Sequence, residues 1–209
     1  MGECNASRRF LAHAAFLTIR SAFFNKAFSG PWREAHDRTV QLPDDDPETF
    51  ELYLHHIYTG NLAVLPDGIA EDRTDESERL ALAKIYVFAE KVQDPKTKNT
   101  VLKAIISGTC IELSTEEYNR CLPPPSVVKV IYDGTAEGSL ARKLLGGMYT
   151  GVYDVASRAD FRDTQWPREF LDELTNQVSL RQFTHAGYKE GWKTGGGQTY
   201  MEPEGPLEG

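Results

Sequence analysis

The chain has 209 residues, 40% of them hydrophobic and 26% charged, with a formal net charge of −8. A chain of this length buries roughly 70% of the surface it exposes when unfolded, so it needs neither disulfides nor metal to be stable. The acidic balance argues against direct nucleic-acid binding, which requires clustered Lys and Arg, and the apolar runs fall well short of the roughly 18 residues that suggest a membrane span.

The opening MGECNASRR has no apolar stretch of a secretory signal, which makes Asn5-Ala6-Ser7 a chance sequon. Ala6 stands where a myristoylation signal wants Ser or Thr. Phe10 to Ala12 reads as a strand end leading into a helix from about His13 to Arg20. Ser21 is suited to cap a following helix, in which Phe24 and Phe28 share one face. Gly30-Pro31 ends it, and Trp32-x-Glu34 falls in the loop beyond. Arg38 to Leu42 alternates polar and apolar residues like a half-buried strand. The acidic run Asp44-Asp45-Asp46 and Pro47 then open a helix striped by Phe50, Leu54, Ile57 and Tyr58, and Gly60 stops it.

Pro66 to Arg79 is rich in acid and poor in aliphatics, and predicts a mobile loop. Leu80 to Val92 is helical in pattern, Asp94-Pro95 breaks it, and Val101, Leu102, Ile105 and Ile106 stripe another helix. Ser114-x-x-Glu117 has the form of a capping box. Three further stripes follow: Val127, Val128, Ile131 and Tyr132; Leu140, Leu144, Leu145 and Met148; Phe170, Leu174 and Val178. Beyond Phe183 a glycine run and late prolines predict a flexible tail that is dispensable for folding.

Little in the chain suggests chemistry. His55 and His56 point about 100° apart on a helix, with no Cys or His at i+3 or i+4 to complete a metal face. The three acids Asp44 to Asp46 are explained by the helix they precede. Cys4, Cys110 and Cys121 are unpaired in spacing and suit a reducing compartment, cytoplasmic or nuclear. No cofactor or metal is expected.

An ordered series of residues carries a family resemblance: Phe10-x-x-His13, Phe16-Leu17, Ser21-x-Phe23-Phe24, Phe28, Trp32-x-Glu34, Leu42-Pro43-Asp44-Asp45, Pro47-x-x-Phe50 and Ile57-Tyr58-Thr59-Gly60. The series resembles the BTB/POZ domain. Residues 88–105 resemble the paired C-terminal helices of such domains, especially in fungal members, and 123–183 looks like the helical extension that follows them. The resemblance implies an α/β fold, a small sheet with surrounding helices, over residues 8–112. Its first strand is missing or truncated. An all-helical extension over 113–183 and a flexible tail over 184–209 complete the expected organisation.

The function so implied is protein–protein interaction without catalysis. In BTB adaptors of cullin-type ubiquitin ligases a hydrophobic-x-Glu motif contacts the cullin, and Trp32-Arg33-Glu34 matches it. The first helix implies self-association through Phe16, Leu17 and Ile19, weakened by the short N-terminus. Ala14 replaces the Lys or Arg common after His13, so the charged pocket of some BTB transcriptional repressors lacks its partners. The alternatives are a non-ligase scaffold, a transcription-related homodimerisation module, a remnant from an incomplete gene model and, from another class, an enzyme using Cys110 or Cys121 with a histidine.

Overall fold

A computed structural model describes residues 8–63, 76–109, 122–152, 165–183 and 197–205. The extended lead-in to Ala12 reaches α1 (Ala14–Thr18), and α2 (Ala22–Ser29) begins where the Phe24 N–H donates to Ser21 Oγ at 3.1 Å. A short α3 (Arg33–Asp37) starts at Trp32 and ends on Arg38, whose φ of 51° turns the chain out of the helix. Asp46 caps α4 (Pro47–Thr59), accepting from the Glu48 N–H at 3.2 Å with Pro47 in the first turn, and Gly60 closes it at φ 78°. Prolines at that first position sacrifice no helical hydrogen bond, and glycine adopts positive φ without Cβ strain.

Next come α5 (Glu76–Lys91) and α6 (Pro95–Gly108), separated by Asp94, whose carboxylate accepts from the Thr97 N–H at 2.9 Å. Helices α7 (Pro125–Gly134), α8 (Leu140–Val152) and α9 (Arg168–Phe183) follow, then a 3-10 turn over Gln198–Tyr200. No helix among the described residues is long and apolar enough to cross a membrane.

Two cores share α5. The smaller gathers Leu17, Phe24, Tyr53, Leu54 and Ile57 with Phe88 from α5 and Val92 just after it. There the Phe88 ring meets Tyr53 at 5.0 Å and Phe50 at 5.6 Å, both edge-on. The larger core takes Leu82, Ala83, Ile85 and Tyr86 from α5 and packs them with the buried stripes of α6, α7, α8 and α9. Arg142 ties the last three helices together from a buried position. It donates to Thr135 Oγ1 at 3.0 Å and Glu169 at 2.7 Å, and its guanidinium lies 4.6 Å from the Tyr132 ring centre.

The expected small sheet is absent among the described residues, so the α/β expectation is corrected to a helical arrangement with extended connections. The alternation over Arg38 to Leu42 has a real cause: Val40 and Leu42 pack against the smaller core while Arg38, Thr39 and Gln41 are exposed. A strand also needs a neighbouring ladder for its N–H and C=O groups. Here the segment's recorded backbone bonds are local, from Thr39 N–H to the Glu34 carbonyl and from Asp45 N–H to that of Leu42.

Three other expectations change. Trp32-x-Glu34 begins a helix rather than lying wholly in a loop. Glu76 to Arg79, expected within the mobile acidic loop, is the first turn of α5, where Glu76 and Glu78 suit the positive end of the helix; residues 66–75 lie outside the described residues. Part of the expected flexible tail packs on the body, with Tyr200 and Met201 against the larger core. The capping box at Ser114 and Glu117, and Cys4, Cys110 and Cys121, lie outside the described residues.

Candidate functional site

Helix α1 divides its apolar residues between two faces. Leu17 is 5% exposed and belongs to the smaller core, so it contributes little to any surface, whereas Phe16 and Ile19, three positions apart, are 43% and 75% exposed. Tyr58, near the end of α4, stands beside them, its ring 4.8 Å from that of Phe16. Its hydroxyl accepts from the His13 N–H at 2.7 Å and lies 2.9 Å from His13 Nδ1. His13 therefore fixes the start of α1 against α4. The result is an exposed apolar face shared by two helices.

Trp32 is 62% exposed, and Glu34 stands exposed in the first turn of the short α3. The indole folds back over Gly30: a Cβ there would lie 2.3 Å from its Cδ1 and Nε1. Glycine thus lets the ring rest on the backbone while its outer face meets solvent. Arg33 and Asp37 pair at 3.0 Å along the exposed side of α3. Trp32 is no core residue, and with Glu34 it forms a second surface next to α2.

Beneath α1 lies a polar cluster that sequence reading did not find. Asp94 is fully buried and accepts from Tyr53 Oη at 3.1 Å, Thr97 Oγ1 at 2.6 Å and Arg20 Nε at 3.3 Å. The same arginine donates from Nη2 to Thr97 Oγ1 at 2.9 Å and lies 3.2 Å from His56 Nε2. The turn after α1 is thereby pinned to the start of α6. Burial, reinforced by the Asp94 charge, pushes the Tyr53 hydroxyl well above the ordinary tyrosine range. Burial and then the Arg20 cation push His56 below the ordinary histidine value. The available signal was Asp94-Pro95, read as a break between two helices, but nothing local tied it to Arg20. Among the described residues no group of three or more His, Cys, Asp or Glu side chains could hold a metal ion.

Comparison with known proteins bears on the same N-terminal region. The family model for the BTB/POZ domain matches residues 3–94. Over 64 residues the chain is 33% identical to mouse Kelch repeat and BTB domain-containing protein 4, an alignment covering 31% of this chain and 12% of the relative. It is 33% identical over 81 residues to Arabidopsis thaliana BTB/POZ and MATH domain-containing protein 5, covering 39% and 19%. It is 36% identical over 66 residues to rat Kelch-like protein 21, covering 32% and 11%. The chain thus spans less than a fifth of the length of these relatives. No solved structure matches it significantly. The family match and these relatives agree on one likeness: residues 3–94 of this chain match the BTB/POZ domain.

Proposed function

We propose that the chain is a protein–protein interaction module, without catalysis of its own, that acts as an adaptor of a cullin-type ubiquitin ligase through Trp32 and Glu34. One observation carries the reading: a tryptophan that is 62% exposed, seated on a glycine and followed by an exposed glutamate at a helix start. Exposed aromatics are costly to leave in water and are typical anchors of interfaces. The α7–α9 region is read as the C-terminal extension of a fungal-type member, and it supplies the candidate surface for a recruited substrate. A cytoplasmic or nuclear location accords with this role.

The test pairs binding with stability. Trp32→Ala should weaken cullin binding by about 2 kcal/mol or more, the scale of an aromatic hot spot, and Glu34→Ala should weaken it too. Thermal unfolding of both should stay within about 0.5 kcal/mol of the parent, as for ordinary surface substitutions. An unaltered chain with no affinity for any cullin ends the adaptor reading and leaves the general interaction module.

The exposed α1 face favours a second reading, a scaffold or transcription-related module that self-associates. Phe16, Ile19 and Tyr58 supply the apolar surface for it, while Leu17 serves the core. Sedimentation over a concentration series should reveal reversible self-association that Ile19→Glu weakens. A strictly monomeric chain at high micromolar concentration removes this reading. A cysteine-dependent enzyme is tested by thiol reactivity near neutral pH, since a catalytic thiolate reacts far faster than a structural thiol.

A further inference from the structure

The segment Gly197–Gly205 lies across α6 in a way that resembles a bound peptide more than a packed element. Asn99 engages both polar groups of one residue of the segment. Its Oδ1 accepts the Glu202 N–H at 2.8 Å and its Nδ2 donates to the Glu202 carbonyl at 2.9 Å, then also to Glu204 Oε1 at 2.8 Å. A side-chain amide that grips N–H and C=O together reads extended main chain without regard to the side chain it carries. Lys98 adds a charge requirement, its buried ammonium pairing with the Glu202 carboxylate. Tyr200 and Met201 cover the apolar flank of the site, only partly buried. Gly197, at φ 75°, brings the segment in so closely that a Cβ would meet Ile106 Cδ1 at 2.3 Å.

The charge on the receiving side is satisfied without the segment. Lys98 Nζ also bonds Glu90 on α5 at 2.7 Å, so its charge keeps a partner from the body itself. A contact meant to be permanent has no need of that second carboxylate; one that opens and closes does. Charge points the same way. In a chain of net charge −8, α6 carries three lysines and no acid, which draws acidic chain segments toward it.

We propose that the Lys98–Asn99 face of α6 is a docking site for an extended acidic peptide of a partner protein, an aromatic and an apolar residue followed by Glu-x-Glu, which the chain's own segment Tyr200-Met201-Glu202-Pro203-Glu204 occupies in cis. The tethered segment competes with the incoming peptide and so restrains binding until it is displaced. The site is independent of the Trp32 and α1 surfaces.

The test uses the full chain and a labelled peptide, QTYMEPEG, corresponding to residues 198–205. In the variant Glu202→Ala/Glu204→Ala, hydrogen exchange should rise across 198–201 and stay unchanged in α5 and α7, showing release with the body intact. That variant should bind the peptide saturably by fluorescence anisotropy, at least about tenfold more tightly than the unaltered chain, because a tethered competitor acts at an effective concentration in the millimolar range. Adding Asn99→Ala should abolish capture, and a peptide with both glutamates changed to Gln should not bind. The proposal is overturned if the released chain fails to capture the peptide, or if capture persists with Asn99→Ala. It also fails if the segment stays protected despite the double substitution, since apolar packing alone would then hold it. Loss of protection throughout the body would make the segment a structural part, and would overturn it as well.

Discussion

His56 is buried on α4, and Arg20 Nη2 lies 3.2 Å from its Nε2, an arrangement that suits a neutral imidazole accepting from the guanidinium. Its Nδ1 has no partner in hydrogen-bond geometry among the described residues; the Asn61 backbone is a favourable but looser neighbour. Around it stand Arg20 from the turn after α1, Asp94 at the head of α6 and Lys96 within α6. Burial and the Arg20 cation outweigh the attraction of Asp94 and lower its pKa below 6.5. The native state therefore binds fewer protons than the unfolded chain in the window just below that value, and stability rises with pH there. The contribution should be fully present above about pH 6.5 and be lost as the pH falls toward the folded-state value. Urea midpoints at pH 7.5 and 5.5 should fall on acidification, and fall less in His56→Gln. Equal falls would assign the acid sensitivity to other groups.

At the scale of the element, caps were the most legible feature of the sequence, because they act within a few residues. Ser21, Asp46-Pro47, Gly60 and Asp94-Pro95 each mark a real helix boundary. The apolar stripes of α4 to α9 were legible for the same reason, as a 3.6-residue period needs no knowledge of the partner. Helix α3, five residues long, has no stripe to read. The alternation at Val40 and Leu42 showed that one face packs, yet whether a ladder forms depends on a neighbour the local pattern does not encode. Leu17 was placed on the outer face of α1 because periodicity in five residues does not fix which apolar residue turns inward. Trp32 and Glu34 were legible as a motif, and their exposure follows from Gly30 and the short α3.

Asp94 joins three elements at once: it caps α6, receives Tyr53 from α4 and holds Arg20 after α1, 74 positions away in sequence. Removing the carboxylate leaves the Arg20 guanidinium, 12% exposed, short of its counter-charge. Breaking a buried ion pair in this way costs about 3–5 kcal/mol. Asp94→Ala should therefore shift the urea midpoint far more than any change at Trp32, and it should loosen α1 with it. A shift under about 1 kcal/mol, the net worth of an ordinary hydrogen bond, would mean that the cluster is dispensable.

For the molecule as a whole, the least legible feature was the return of the C-terminal segment. Glycines and prolines there argued for a flexible tail, whereas Tyr200 and Met201 pack on the larger core and Glu202 meets Lys98. Contacts between residues 103 to 105 positions apart leave no local trace. Truncation before Gly197 should thus lower stability by about 1–3 kcal/mol, from lost apolar cover and hydrogen bonds, instead of leaving it unchanged. Thermal unfolding of the truncated and full chains decides the matter.

Helix α5 belongs to both cores, lending Phe88 to one and Leu82, Ala83, Ile85 and Tyr86 to the other. Melting either core uncovers the α5 residues packed on that side and loosens the helix that the other core needs, which couples the two regions. Occupancy at one end then becomes a thermodynamic signal at the far end. A protein clamped on the α1 face, by suppressing openings of the smaller core, should slow amide exchange in α7 and α8, which it would not touch. The helix works as a common keel, through which the grip of one partner would become rigidity available to the next.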